Sequence, residues 1–237
     1  MGAINTIRSW ADDLLSILFP PLCEVCGSRL VHGELHICLH CTATMPRCKF
    51  DDYTFNTIHK RLMRHVPIER ATAGFYYIRG NRFTNLIQSA KYRNRPRLAQ
   101  YLATLFANEM SADSFFNGID LIIPVPMHIR KKRSRGYNQA EIIADAITDI
   151  TAIPTRPLLI ASRSHDTQTR KNALERWQNS RNIYTIDPSA DLSGKHILIV
   201  DDVITTGSTL SACCETIHNH FPDTTISIFT LAATELG

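Results

Sequence analysis

No apolar run in the chain comes near the roughly 18–20 residues that a membrane-spanning helix requires, which excludes a helical membrane protein. The pattern of a secretory signal is missing too. The apolar stretch at residues 14–19 is short, is interrupted by Ser16, and follows Asp12 and Asp13 instead of a basic region. Charged residues are few, at 20%, while 44% hydrophobic residues are too many for a disordered chain. There is no internal repeat and no low-complexity tract. The seven cysteines are an odd number, which full disulfide pairing cannot absorb, so free thiols and the cytoplasm are expected. What remains is a globular chain of 237 residues, enough for one large domain or for a domain with a small appendage.

The net charge of +4 conceals a segregation. Between His59 and Arg97 ten Lys/Arg face one acid, Glu69, for +9, and five of the six residues at 130–135 are basic, for +5. The rest of the chain therefore carries 4 − 9 − 5 = −10. Clustered like charge suits a polyanionic partner or substrate; a solvated basic face with no partner is the alternative.

Residues 4–19 read as an amphipathic helix, with Ile7, Trp10, Leu14 and Ile17 at helical spacing and Pro20-Pro21 as its stop. The stretch from Cys23 to Cys48 is too poor in large apolar residues to fold without a staple. A strand is expected over 71–78, then helices carrying Phe83 to Ala90 and Leu98 to Phe106. From residue 120 strand and helix alternate. Strands are expected at 120–125, 154–160, 196–200 and 226–232, with helices at 140–147 and 209–220 and a polar interruption at 161–182. This rhythm predicts an α/β fold with a mainly parallel sheet. The expected division is an N-terminal helix and ribbon over 1–50, then one domain over 51–237, split into a linker or hood region (51–118) and a core (119–237).

Two patterns carry chemistry. Cys23-x-x-Cys26 and Cys38-x-x-Cys41 form paired knuckles whose four thiolates suit tetrahedral Zn²⁺, with no position left open for a substrate. Buried free thiols, a redox pair, or a mixed site using His36 or His40 are the alternatives. Cys48, Cys213 and Cys214 read as packed thiols. The second pattern follows the apolar run 197–200: Asp201, Asp202, Val203, Ile204, Thr205, Thr206, Gly207, Ser208 and Thr209, then an amphipathic helix. N–H groups at a helix start favour phosphate, the hydroxyls add donors, and Gly207 permits close backbone approach. Two acids at a strand's end can take hydrogen bonds from ribose hydroxyls. The pattern fits a phosphorylated sugar and lacks the Gly-Lys-Ser/Thr ending of a Walker loop.

This loop closely resembles the 5-phosphoribosyl-1-pyrophosphate (PRPP) loop of type I phosphoribosyltransferases. A cysteine ribbon placed before it resembles the ComF/GntX family, named after competence protein F. The likeness extends to Phe19-Pro-Pro-Leu-Cys23, Lys91-Tyr92, Pro124-Val-Pro126, Arg135-Gly-Tyr-Asn-Gln139, Gln168 and Arg176-x-x-Asn179. It implies a type I phosphoribosyltransferase-like domain behind a zinc ribbon, PRPP with Mg²⁺ as ligand, and a part in DNA uptake during natural transformation. Asp201 and Asp202 would hold the ribose and act as the catalytic pair, with Val203, Thr205, Thr206, Gly207, Ser208 and Thr209 around the phosphate. Pro126 and Arg135 would face the pyrophosphate, and Gln168 and Arg176 would lie on a loop closing over the sugar. Lys91, Tyr92, Arg93, Arg95 and Arg97 are candidates for contact with single-stranded DNA, where aromatic rings among cations suit stacked bases and phosphates. Two readings compete with that one: a small-molecule transferase with no DNA role, and a scaffold whose ribbon docks another competence protein.

Overall fold

Buried residues alternate between the two faces of each central strand, and that alternation sorts the helices into layers. The computed structural model describes residues 20–63, 66–92, 95–161 and 183–235. The expected helix at 4–19, with Trp10, and Arg93, Gln168, Arg176 and Trp177 lie outside them. A four-stranded parallel sheet runs in the order β1 (Arg70–Tyr77), β6 (Thr225–Thr234), β5 (His196–Ile204) and β2 (Leu121–Pro124). Ile122, Leu198, Val200, Phe229 and Leu231 face one side, against α4 (Pro96–Ala112) and α6 (Gln139–Thr151). Leu121, Ile123, Ile197, Ile199, Ile226 and Ile228 face the other, against α7 (Ser208–His220) and a short helix, α2 (Thr57–Leu62).

The cysteine-rich stretch is continuous with the first of these cores. Cys23, Val25, Leu30, Ile37, Cys38, Cys41 and Met45 are buried in one cluster with Phe75, Phe83, Leu86 and the α4 residues Leu102 and Phe106. The chain leaving the ribbon then covers the open edge of β1. Tyr76 N–H donates to Pro46 O at 2.7 Å and Cys48 N–H to Gly74 O at 3.1 Å, which closes an edge otherwise free to pair with another chain. On the core side a Cβ at Gly74 would lie 2.3 Å from the Phe106 ring, so the bare backbone there is what lets α4 pack closely.

Several elements depart from the sequence expectation. The stretch 154–160 yields only a short strand, β3 (Leu159–Ala161), because Pro154 and Pro157 supply no N–H. It pairs antiparallel with β4 (Tyr184–Ile186), outside the main sheet. β5 runs on through Asp201 to Ile204 because β6 continues to pair with it, Val203 opposite Ala232 and Ile204 opposite Ala233. The basic run is helical, forming α5 (Ile129–Arg135). Two short helices, α1 (Leu39–Ala43) and α2, were not signalled, and the helix carrying Phe83 to Ala90 is α3 (Thr84–Tyr92).

Candidate functional site

β2 and β5 lie side by side, but the chain leaves β2 for α6 on one face and β5 for α7 on the other. Loops parting in this way open a crevice at the carboxyl ends of the strands, where open α/β sheets bind ligands. Two hollows meet there. One of about 20 Å³ is lined by Asp201, Val203, Ile204, Thr205, Gly207, Ser208, Thr209 and Leu210. The other, of about 250 Å³, is bounded by Pro126, Lys131, Arg135, Gln139, Tyr184 and Asp202, and Asp201 and Thr209 line both. The structure thus brings together Pro126, Arg135, the two acids and the hydroxyl loop. A larger hollow of about 580 Å³, beside Arg47 and Phe106, contains none of these residues.

The small hollow has the form of an anion cradle. Gly207 precedes α7 with φ +85°, a left-handed conformation costly for other residues, and no side chain caps the helix. The first turn of α7 thus has no N-cap side chain for its N–H groups, and Ser208 N–H approaches Thr206 Oγ1 at 3.4 Å. Thr206 and Ser208 place their hydroxyls 3.2 Å apart. Asp201 Oδ1 accepts from Asp202 N–H at 2.8 Å, and both acids are half-buried.

Across the larger hollow, helical spacing puts Lys131 and Arg135 on one side of α5, facing the acids and Thr209. Lys132 points elsewhere and pairs with Glu141 at 2.8 Å. In the motif Arg135-Gly-Tyr-Asn-Gln139, Arg135 lines the larger hollow and the residues after it build the local structure. Gly136 closes α5, Tyr137 Oη donates to Ala90 O, and Asn138 caps α6 while donating to Val125 O at 3.0 Å. Gln139 is 2% exposed and its Oε1 has no partner. Tyr184 and Arg61 escaped the sequence reading. Tyr184 sits in a short strand with a weak signal; its phenol shares a hydrogen bond with the Thr209 side chain, and burial pushes its pKa up. Arg61 reaches the Thr205–Thr209 loop from α2, as one cation among many in a basic stretch.

The four ribbon cysteines converge. Their sulfurs all lie within 4.8 Å of one another, with Cys26 and Cys38 at 3.8 Å, about the edge of a tetrahedron built on Zn–S bonds of about 2.3 Å. Gly27 makes the first knuckle's turn at φ +72°, donating to Cys23 O at 2.9 Å. Cys48, Cys213 and Cys214 are buried, as expected of packed thiols.

Of the nucleic-acid candidates, Arg95 and Arg97 are the ones whose side chains fall within the described part, and both are exposed. Arg95 is ion-paired to Glu24 of the ribbon, and Arg97 lies near His36, lowering its pKa together with burial, the larger cause. Lys91 and Tyr92 end α3 in the backbone, and their side chains are outside the described part. Of the neighbouring aromatics, Phe75 is fully buried against Phe106 and offers no stacking face.

The phosphoribosyl transferase domain family matches residues 89–235. Competence protein F of Haemophilus influenzae is 32% identical over 131 residues, covering 53% of this chain and 57% of that protein. The DNA utilization protein YhgH of Escherichia coli K12 is 27% identical over 210 residues, 81% of this chain and 88% of that one. Among solved structures, adenine phosphoribosyltransferase from Saccharomyces cerevisiae is 17% identical over 58% of this chain and 69% of its own, with a TM-score of 0.37, too distant to carry an argument. The chain belongs to the phosphoribosyl transferase domain family, in the ComF group.

Proposed function

We propose that the crevice between β2 and β5 binds PRPP or a related phosphoribosyl compound, and that the protein acts in DNA uptake or processing during natural transformation, with single-stranded DNA as a second ligand. The observation that carries the first half is the junction of the two hollows at Asp201 and Thr209. A 5-phosphate in the Thr205–Thr209 cradle leaves the ribose against the two acids and a pyrophosphate opposite Lys131 and Arg135. The DNA half rests on the names of the relatives, competence protein F and DNA utilization protein, and on the basic segments. A cytoplasmic setting fits this role; no described helix is long and apolar enough to cross a membrane.

If the group is transferred, a nitrogen nucleophile attacks C1 of the sugar and pyrophosphate leaves with the electron pair of the C1–O bond. Mg²⁺, when bound with the ligand, neutralises charge on the leaving pyrophosphate. The donor set fits that ion, because two adjacent half-buried carboxylates are hard oxygen ligands and the bound ligand supplies the rest. Asp201 and Asp202 would orient the ribose hydroxyls, and their negative charge favours the cationic sugar as it develops. The phosphate loop positions the substrate and does not react. The cysteine cluster would hold structural Zn²⁺, since four protein ligands close the coordination sphere.

A small-molecule transferase without a DNA role is the second reading. It is favoured by the ties that occupy Arg95 and Lys132 and by the burial of Phe75. Calorimetry with PRPP plus Mg²⁺, with a single-stranded oligonucleotide, and with each added against the other distinguishes the readings. Binding of both supports the first; PRPP binding without DNA binding supports the second; no PRPP binding removes both.

A further inference from the structure

A phosphate cradle works only if its N–H groups point inward and its carbonyls are turned away and satisfied elsewhere. Next to the cradle, and lining neither hollow, stands Arg61. Its Nη1 donates to Thr205 O at 2.9 Å and to Thr234 Oγ1 at 3.3 Å, and its Nη2 donates to Thr234 O. One guanidinium thus ties the first residue of the phosphate loop to the last residue of β6. The next side chain, Leu62, is fully buried, and its Cδ2 would stand 3.1 Å from a Cβ at Gly207. The helix bearing both is itself anchored. Asn56 caps α2 through Ile58 N–H and His59 N–H and donates to Ala71 O at 2.8 Å, while His59 Nε2 meets Ile68 O at 2.7 Å.

We infer that Arg61 is a positioning residue for the 5-phosphate half of the site: its planar fork holds the Thr205 carbonyl outward and so aims the loop's N–H groups at the phosphate. The inference rests on the phosphoribosyl reading of the crevice. Arg61 lines neither hollow, so it would act through the loop. Lysine keeps the charge but presents one nitrogen, which cannot grip two carbonyls in a fixed plane.

The test uses the full chain with two probes, ribose 5-phosphate and inorganic pyrophosphate, each with Mg²⁺. In Arg61→Ala, affinity for ribose 5-phosphate falls about tenfold or more, the worth of a hydrogen bond to a charged group, while pyrophosphate affinity is unchanged. Arg61→Lys falls between, and added guanidinium ion partly restores Arg61→Ala. Equal affinity for ribose 5-phosphate in wild type and Arg61→Ala overturns the inference. So does equal weakening of both probes, which marks a general loss of structure. If Arg61→Ala does not fold, Arg61→Lys decides, and wild-type affinity for ribose 5-phosphate in it overturns the fork. A wild type that binds neither probe removes the phosphoribosyl reading, and this inference with it.

Discussion

Arg95, the residue before α4, forms an ion pair with Glu24 inside the first cysteine knuckle. The ribbon is therefore joined to the α/β part by charge as well as by the core it shares with Phe75 and Phe106. Removing the metal should then disturb more than the ribbon. Binding energy at a structural zinc site is folding energy, so Cys26→Ser or a strong chelator should lower the melting temperature of the whole chain. Cys26 is the informative position because it is exposed and serine there loses little packing. Metal analysis should give one zinc per chain in the wild type; none, with the ribbon still folded, refutes the site.

Neutralising both acids should weaken PRPP without unfolding the protein, because Asp201 and Asp202 lie half-exposed at the carboxyl end of β5. Calorimetry on Asp201→Asn/Asp202→Asn is the measurement, with melting temperature as the control. Thr206→Ala should cost about 1.5–3 kcal/mol of affinity, the worth of a hydrogen bond to a charged group. Unchanged affinity in the double variant would put the ligand elsewhere.

Gly207→Ala tests the loop backbone. A residue with a Cβ held at φ +85° costs roughly 1–2 kcal/mol, and the new methyl must also displace Leu62. We expect a lower melting temperature together with lost phosphate affinity, read by thermal denaturation and by titration with ribose 5-phosphate. A variant as stable as wild type would show that the loop can relax.

How much of this was legible beforehand follows from the kind of signal each part leaves. The metal knuckles and the loop from Asp201 to Thr209 are contiguous, so spacing alone displays them. Arg135 is picked out by the family resemblance, but only its helical turn shows that Lys131 shares its face while Lys132 is spent on Glu141. Tyr184 and Arg61 come from elements of three and six residues, too short for a periodicity, and reach the site by tertiary packing. β5 was read four residues short because acids argue against a strand, whereas its pairing with β6 carries it through them.

His196 gives stability a pH dependence. Its Nε2 lies 2.8 Å from Ser227 Oγ, and burial, then the nearby Arg70, holds its pKa below the ordinary 6.5; Glu69 and Asp120 oppose this more weakly. The folded state thus favours the neutral ring, and the unfolded chain binds the proton first. Its contribution is complete above about pH 6.5 and is lost as pH falls through that value toward the folded pKa. Melting temperatures of wild type should drop between about pH 8 and pH 5, and His196→Gln should flatten that drop. Parallel profiles would assign the dependence to other groups.

Single-stranded DNA separates the two functional readings, and the structure sharpens which cations to test. Binding through Lys91 to Arg97 should be indifferent to sequence and fall steeply with salt, each phosphate contact adding roughly −0.7 to the slope of log K against log salt. Arg95 is held by Glu24, so Arg95→Ala should change the slope less than Arg93→Ala or Arg97→Ala. Tyr92→Ala should cost about 1–3 kcal/mol if its ring stacks on a base. Asp201→Asn should leave the slope unchanged, because Asp201 is an acid lining the crevice and cannot pair with a phosphate as a cation does. Displacement of the strand by saturating PRPP would show that the two ligands share part of the crevice and make a DNA end a candidate acceptor. Absence of DNA binding at about 50 mM salt, where screening is weak, leaves the small-molecule transferase.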